Sequence, residues 1–190
     1  MHKKKVIFAL LILLSISIAI SIWLYFNLES AKALLGKYST NVHFLTGLGA
    51  LGDQHVHADF KIFVDGRERS IYTPENFEVN KFTHMHGGAN EENVIHVHAT
   101  GVNYAEFFHT VKIELQVDCI KIEEDLLCNE GNRTLKYILN GKIDPGAPLR
   151  KIIDNDKLLI SYGSESEEQI IRQAKGILDF ACIRSNNCKN

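Results

Sequence analysis

The stretch from Val6 to Phe26 contains no charged side chain, and this constrains the chain more than any other feature. A helix of that span is about 30 Å long, which matches the hydrocarbon thickness of a bilayer. Within hydrocarbon a helix satisfies all of its own backbone N–H and C=O groups. The segment is therefore expected to be a transmembrane helix. Lys3, Lys4 and Lys5 precede it, so the positive-inside rule keeps the N-terminus cytoplasmic and puts everything after Phe26 outside. Trp23, Tyr25 and Phe26 fall at the outer end, where amphipathic rings favour the interface. A cleaved secretory signal is the competing reading, since Ala31-Lys32-Ala33 resembles a small-x-small cleavage site. The apolar run is longer than the roughly 7 to 15 residues of a signal core, which favours an uncleaved anchor. Either way the remainder of the chain is extracytoplasmic.

With 190 residues, 45% hydrophobic and 23% charged, the chain has room for one compact domain beside the anchor. The net charge of -2 and the absence of a basic run interleaved with aromatics argue against nucleic-acid binding. Cys119 and Cys128 flank a polar loop, and Cys182 and Cys188 sit near the C-terminus. Two local disulfides are the simplest of the three connectivities and suit an oxidising compartment. Reduced or zinc-binding thiols are the alternative, although neither spacing resembles a zinc knuckle.

Three histidine pairs share one spacing: His55-Val56-His57, His84-Met85-His86 and His96-Val97-His98. They hold six of the nine histidines. Imidazole is the commonest protein ligand for zinc and copper, and in a strand residues i and i+2 project to the same face. Alternation supports strands for two of the pairs. His55, His57, Asp59 and Lys61 fall on one face and Val56, Ala58, Phe60, Ile62 and Val64 on the other. Ile95, Val97 and Ala99 likewise oppose His96, His98 and Thr100. The middle pair precedes Gly87-Gly88 and is expected at a strand end or in a loop. Asp59 continues the histidine face and is a candidate ligand, or a carboxylate holding a ring N–H. Glu91 and Glu92 read as solvated loop residues, Met85 as packing, His109 as surface, and His43 as a solvated linker residue.

Beyond these strands, Asp65-Gly66 signals a hairpin returning over Arg67 to Tyr72, and Asn140-Gly141 turns a strand over Leu135 to Leu139. Lys61 to Arg67 and Lys136 to Lys142 repeat one K-x-x-x-[DN]-G-[RK] pattern, best read as two hairpins obeying the same turn chemistry. Asn103 with Glu106 predicts a capping box opening a short helix. Val111 to Ile122 predicts one strand, and Lys157 to Tyr162 a last one. Ser164 with Glu167 predicts the cap of a helix stopping at Gly176, with a further turn over Ile177 to Cys182. The expected fold is α+β. Residues 1–26 form a basic tip and transmembrane anchor, and 27–54 a linker that extends the helix by a turn or two. Residues 55–190 form one mainly antiparallel β domain with a short mid-chain helix and a C-terminal helix.

The succession H-V-H-A-D-F-K-I-F-V-D-G, then H-M-H-G, then V-I-H-V-H-A-T-G followed by A-E-F-F resembles a poorly characterised group of membrane-anchored archaeal proteins. Distant bacterial relatives carry the same three pairs. The resemblance covers Gln54 to Phe108 strongly and the later N-G hairpin and L-L-I-S-Y-G strand loosely. It implies that the six histidines act together and implies no reaction. The leading expectation is thus a single-pass membrane protein whose outer domain binds copper or zinc, with a membrane-protein partner conceivable. A metal-dependent enzyme, either a zinc hydrolase or hydratase or a copper oxidase, is the alternative. A thiol-disulfide factor using Cys182 and Cys188 ranks last.

Overall fold

A computed structural model describes residues 2–88 and 91–188. The chain divides into two compact units, the first ending at Gly47 and the second starting at Leu48. The first is the helix α1, His2–Thr46. Within it Leu10–Lys32 is long and apolar enough to cross a membrane. The helix continues well past the turn or two expected after Phe26. Gly36 is the single glycine between residues 27 and 46, and one interior glycine costs a helix only about 1 kcal/mol. Gly47, at φ +68°, follows it in the left-handed conformation typical just beyond a helix end. The side chain of His43 lies outside the described residues.

The second unit is α+β, as expected. Its elements are β1 (Val56–Val64), β2 (Arg67–Glu68), β3 (Thr83–His84), β4 (Val94–Val97), α2 (Tyr104–Thr110), β5 (Ile113–Leu115) and β6 (Cys119–Ile122). They are followed by β7 (Asp125–Cys128), β8 (Thr134–Leu139), β9 (Lys142–Ile143), β10 (Asp156–Gly163), α3 (Glu167–Lys175) and α4 (Phe180–Arg184). The main sheet runs β3-β4-β1-β10-β8-β9, with β2 paired to β1, and β5-β6-β7 form a separate three-stranded sheet. All pairings are antiparallel except β1 with β10. That parallel pair puts β1 in the middle of the sheet, and its two faces are covered by the main core on one side and by α4, through Asp59 and Ala181, on the other.

On the even-numbered face of β1, Ala58, Phe60 and Ile62 join the main core with Phe107 and Phe108 of α2 and Ile120 of β6. Phe60 meets both phenylalanine rings edge-on, at 5.8 and 5.2 Å between centroids. The odd-numbered face carries the histidines at one end. At the other, Phe63 packs on a smaller cluster of Ile138, Leu159, Ile170 and Ile177. Both hairpin turns place their two residues at positive φ, Asp65 and Gly66 at 49° and 76°, Asn140 and Gly141 at 53° and 77°. Their shared sequence pattern is thus explained by shared turn geometry.

Four elements differ from the sequence expectation. The strand returning after Asp65-Gly66 is only two residues long, and Pro74 opens a 3-10 turn soon after. Val111 to Ile122 is not one strand: Val111 caps α2, and Gln116 N donates to Cys119 O to reverse the chain between β5 and β6. The N-cap of α3 is Ser166 with Gln169, not Ser164 with Glu167; the two motifs overlap by two residues and the second one forms. The final helix begins at Phe180 because Ile177, 6% exposed, is drawn into the smaller cluster.

Phe60 anchors the central strand in the main core and is 1% exposed. Phe60→Ala is expected to lower the unfolding free energy by about 3–5 kcal/mol, read by denaturant titration, since it leaves a cavity beneath β1.

Candidate metal centre

Strand register builds the site. His57 on β1 is the direct cross-strand partner of His96 on β4, and on the other side of β4 His84 of β3 is its partner. The three residues therefore form one row across three strands, on one face. His55 and His98 continue that face one pleat further along, their rings 5.0 Å apart. His86 lies just beyond the end of β3 and reaches back to 4.2 Å from the His96 ring. Its neighbour Gly87 leaves room for the Phe77 ring: a Cβ there would sit 2.4 Å from Phe77 Cε2.

His96 is the centre of this arrangement. The His57 ring lies 4.0 Å from it, and those of His55, His84 and His98 lie 5.8, 5.8 and 6.0 Å away. Two groups of ligand-capable nitrogens result, each with all its atoms within 4.8 Å of one another: His84, His86, His96 and His98, and His55, His57 and His96. His57, His84 and His96 are buried, whereas His55 is exposed.

Hydrogen-bond partners fix which nitrogen faces inward for His84 and His57. His84 Nδ1 lies 2.8 Å from the Asn80 carbonyl, an acceptor, so it carries the proton and turns the Nε2 lone pair toward the other rings. His86 Nδ1 faces the Glu78 carboxylate at 3.3 Å as an ion-pair contact, and its Nε2 makes a 2.9 Å hydrogen-bond contact with His84 Nε2. His57 Nδ1 is 2.7 Å from Ser185 Oγ, whose own proton goes to Asp154 Oδ1. The hydroxyl therefore accepts from His57, and its Nε2 is again the free nitrogen. Asp154 also accepts from the His57 backbone N–H and from Asn187 Nδ2. Such outer partners orient metal-binding imidazoles.

The electrostatics favour neutral rings. Burial, then the neighbouring His55, pushes His57 down to about 4. Burial with His57 and His86 alongside lowers His96 further still, and burial lowers His84 and His98 as well. Neutral imidazole is the form that ligates a metal. Glu91 is not the solvated residue expected: it is 7% exposed, ion-paired with Arg184, and its Oε2 stands 3.6 Å from His96 Nε2. Glu92 is exposed, as expected, and Met85 is buried in the main core. His109 is exposed in the last turn of α2.

All six paired histidines come together, but Asp59 does not join them. Its two carboxylate oxygens accept from Ala181 N at 3.0 and 3.1 Å, securing the start of α4. It acts on the site through that helix, whose far end supplies Arg184 to Glu91 and Ser185 to His57. Both cysteine pairs are closed locally, Cys119 with its cross-strand partner Cys128 and Cys182 with Cys188. The second disulfide brackets Arg184 and Ser185. Sequence reading missed these two residues together with Asp154, Asn80 and Glu78. The one available signal was that bracketing, which implies an ordered C-terminal segment.

Burial raises the Asp59 carboxyl to about 7, against the opposing Ala181 N–H. Its sign is opposite to that of the histidines. The unfolded chain takes up protons on His57 and His96 below about pH 6.5 that the folded state refuses, so their contribution is lost on acidification. The folded state holds a proton on Asp59 between about pH 4 and 7 that the unfolded chain lacks, so its contribution grows on acidification. For metal-depleted protein, the melting temperature of Asp59→Asn is expected to fall more steeply than wild type between pH 7 and 4.5. His57→Gln is expected to fall less steeply.

No known family model matches the chain, and no curated protein or solved structure matches it either, so the chemistry of the six rings and their partners is what characterises the site.

Proposed function

We propose that this is a membrane-anchored, extracytoplasmic protein that binds copper or zinc through its histidine pairs. One contact carries the reading. His84 Nε2 and His86 Nε2 are 2.9 Å apart, and the Asn80 carbonyl draws the His84 proton to Nδ1, so the His84 Nε2 lone pair points into that contact. In the metal-free protein a proton on His86 Nε2 bridges the pair, and a metal ion taking that proton's place would be held by both nitrogens. His96 and His98 complete a four-nitrogen group around the same point.

Four imidazoles fill the four positions that zinc prefers, which favours holding an ion over activating a water. The set contains no thiolate, because all four cysteines are in disulfides. Imidazole-only sites suit Zn(II) and Cu(II), and copper has the higher intrinsic affinity. The location outside the cytoplasm is supported by the apolar span Leu10–Lys32 and by the two disulfides.

Elemental analysis of the full-length protein, purified in detergent, tests this. Wild type is expected to retain copper or zinc through dialysis, and the triple variant His84→Ala, His86→Ala, His98→Ala to lose it. Equal metal content in the two would sink the proposal. Ser185→Ala, which removes the acceptor for His57 Nδ1, is expected to weaken overall metal affinity about 10- to 100-fold with the far-ultraviolet spectrum unchanged.

A further inference from the structure

The two histidine groups draw on opposite flanks of β4. His84 and His86 come from β3 and the residues after it, and His55 and His57 from β1 and the residue before it. They have a single residue in common, His96, on the strand between. An imidazole has two nitrogens. Every other buried ring of the cluster uses its Nδ1 on a protein partner, His57 on Ser185 and His84 on Asn80. His96 does not: both Nδ1 and Nε2 are buried and neither has a hydrogen-bond partner among the described residues, in a side chain only 8% exposed. A buried N–H left unpaired is costly, and a neutral imidazole always carries one.

We infer that His96 bridges two metal ions as an imidazolate, one ion completed by His84, His86 and His98 and the other by His55 and His57. Binding of the second ion breaks the remaining ring N–H bond, forms a nitrogen–metal bond, and releases the proton to water. Both nitrogens are then satisfied, which explains why the fold supplies neither with a protein partner. Glu91 Oε2, also buried and without a hydrogen-bond partner, lies 3.6 Å from His96 Nε2 and adds negative charge beside the pair of ions. The β1 ion has three imidazoles rather than four, and one of them, His55, is exposed. That ion therefore retains a coordination position open to solvent or to a small ligand.

This inference rests on the metal-binding reading above, and the experiment separates the two. Full-length protein in detergent is titrated with Cu(II), with bound copper counted by elemental analysis and followed by low-temperature electron paramagnetic resonance. Two ions per chain are expected. The second should reduce the signal per copper several-fold, because spins across an imidazolate couple antiferromagnetically. Replacing one copper with Zn(II) should restore the signal. His55→Ala, an exposed change that spares the buried rings, and His57→Ala should each lower uptake from two ions to one and abolish the loss of signal. Uptake of one ion by wild type, or two ions whose signals simply add, overturns the bridge while leaving metal binding intact. Uptake of none overturns the metal reading itself.

Discussion

The site depends on the register between β1 and β4. Side chains alternate along a strand, so a slip of one residue would turn His57 toward the phenylalanines of α2 and bring Ala58 to the histidine face. The apolar face prevents this: Ala58, Phe60 and Ile62 on β1 and Ile95 and Val97 on β4 are all buried in the main core. The same hydrophobic burial that stabilises the sheet therefore sets the cross-strand row of imidazoles. β3 adds only Thr83 and His84 to that ladder, yet Thr83 Oγ1 donates to the His96 carbonyl and fixes the edge on which His84 sits.

Much of this was legible in the sequence, because it is local. The i, i+2 spacing and the apolar residues between the histidines specify a face, and the Asp-Gly and Asn-Gly turns specify hairpins. What could not be read is non-local. Asp154 and Ser185 reach His57 from 97 and 128 positions away, and no periodicity in either segment announces it. Glu91 reads as a loop carboxylate in a polar stretch, and only Arg184, arriving with α4, makes its burial tolerable. Asp59 lies on the histidine face, as its spacing predicts, yet it accepts from Ala181 N rather than from an imidazole. Two residues along a strand is a displacement of about 7 Å, enough for the covering helix to claim it before the histidines do. The strand expected over Val111 to Ile122 is broken for a related reason: β-branched composition says nothing about where a chain reverses, and here it reverses within the segment, pairing Leu115 with Ile120.

The C-terminal segment is therefore part of the site's construction rather than an appendage. Asp59 holds the start of α4, and the Cys182–Cys188 bond closes the chain around its end. Between those two points Arg184 and Ser185 each take one outer position around the histidines. A disulfide chiefly reduces the freedom of the unfolded chain. Here it also confines two residues whose directions matter, since a rotated Ser185 would no longer accept from His57 Nδ1.

The cost of the cluster indicates what it is for. Imidazoles packed this closely give up hydration, repel one another when protonated, and bury nitrogens without partners. Each of these effects opposes folding, and the lowered proton affinities of His57, His84, His96 and His98 reflect them directly. A surface histidine face with no ligand would avoid all three by spreading its rings into water. These rings instead converge, with the ring protons of His57 and His84 drawn to the outside. That polarity is unfavourable in an empty cluster and favourable around a cation. A bound ion would supply free energy that the metal-free arrangement lacks, and the sheet, stabilised by its opposite face, holds the candidate ligands together without one.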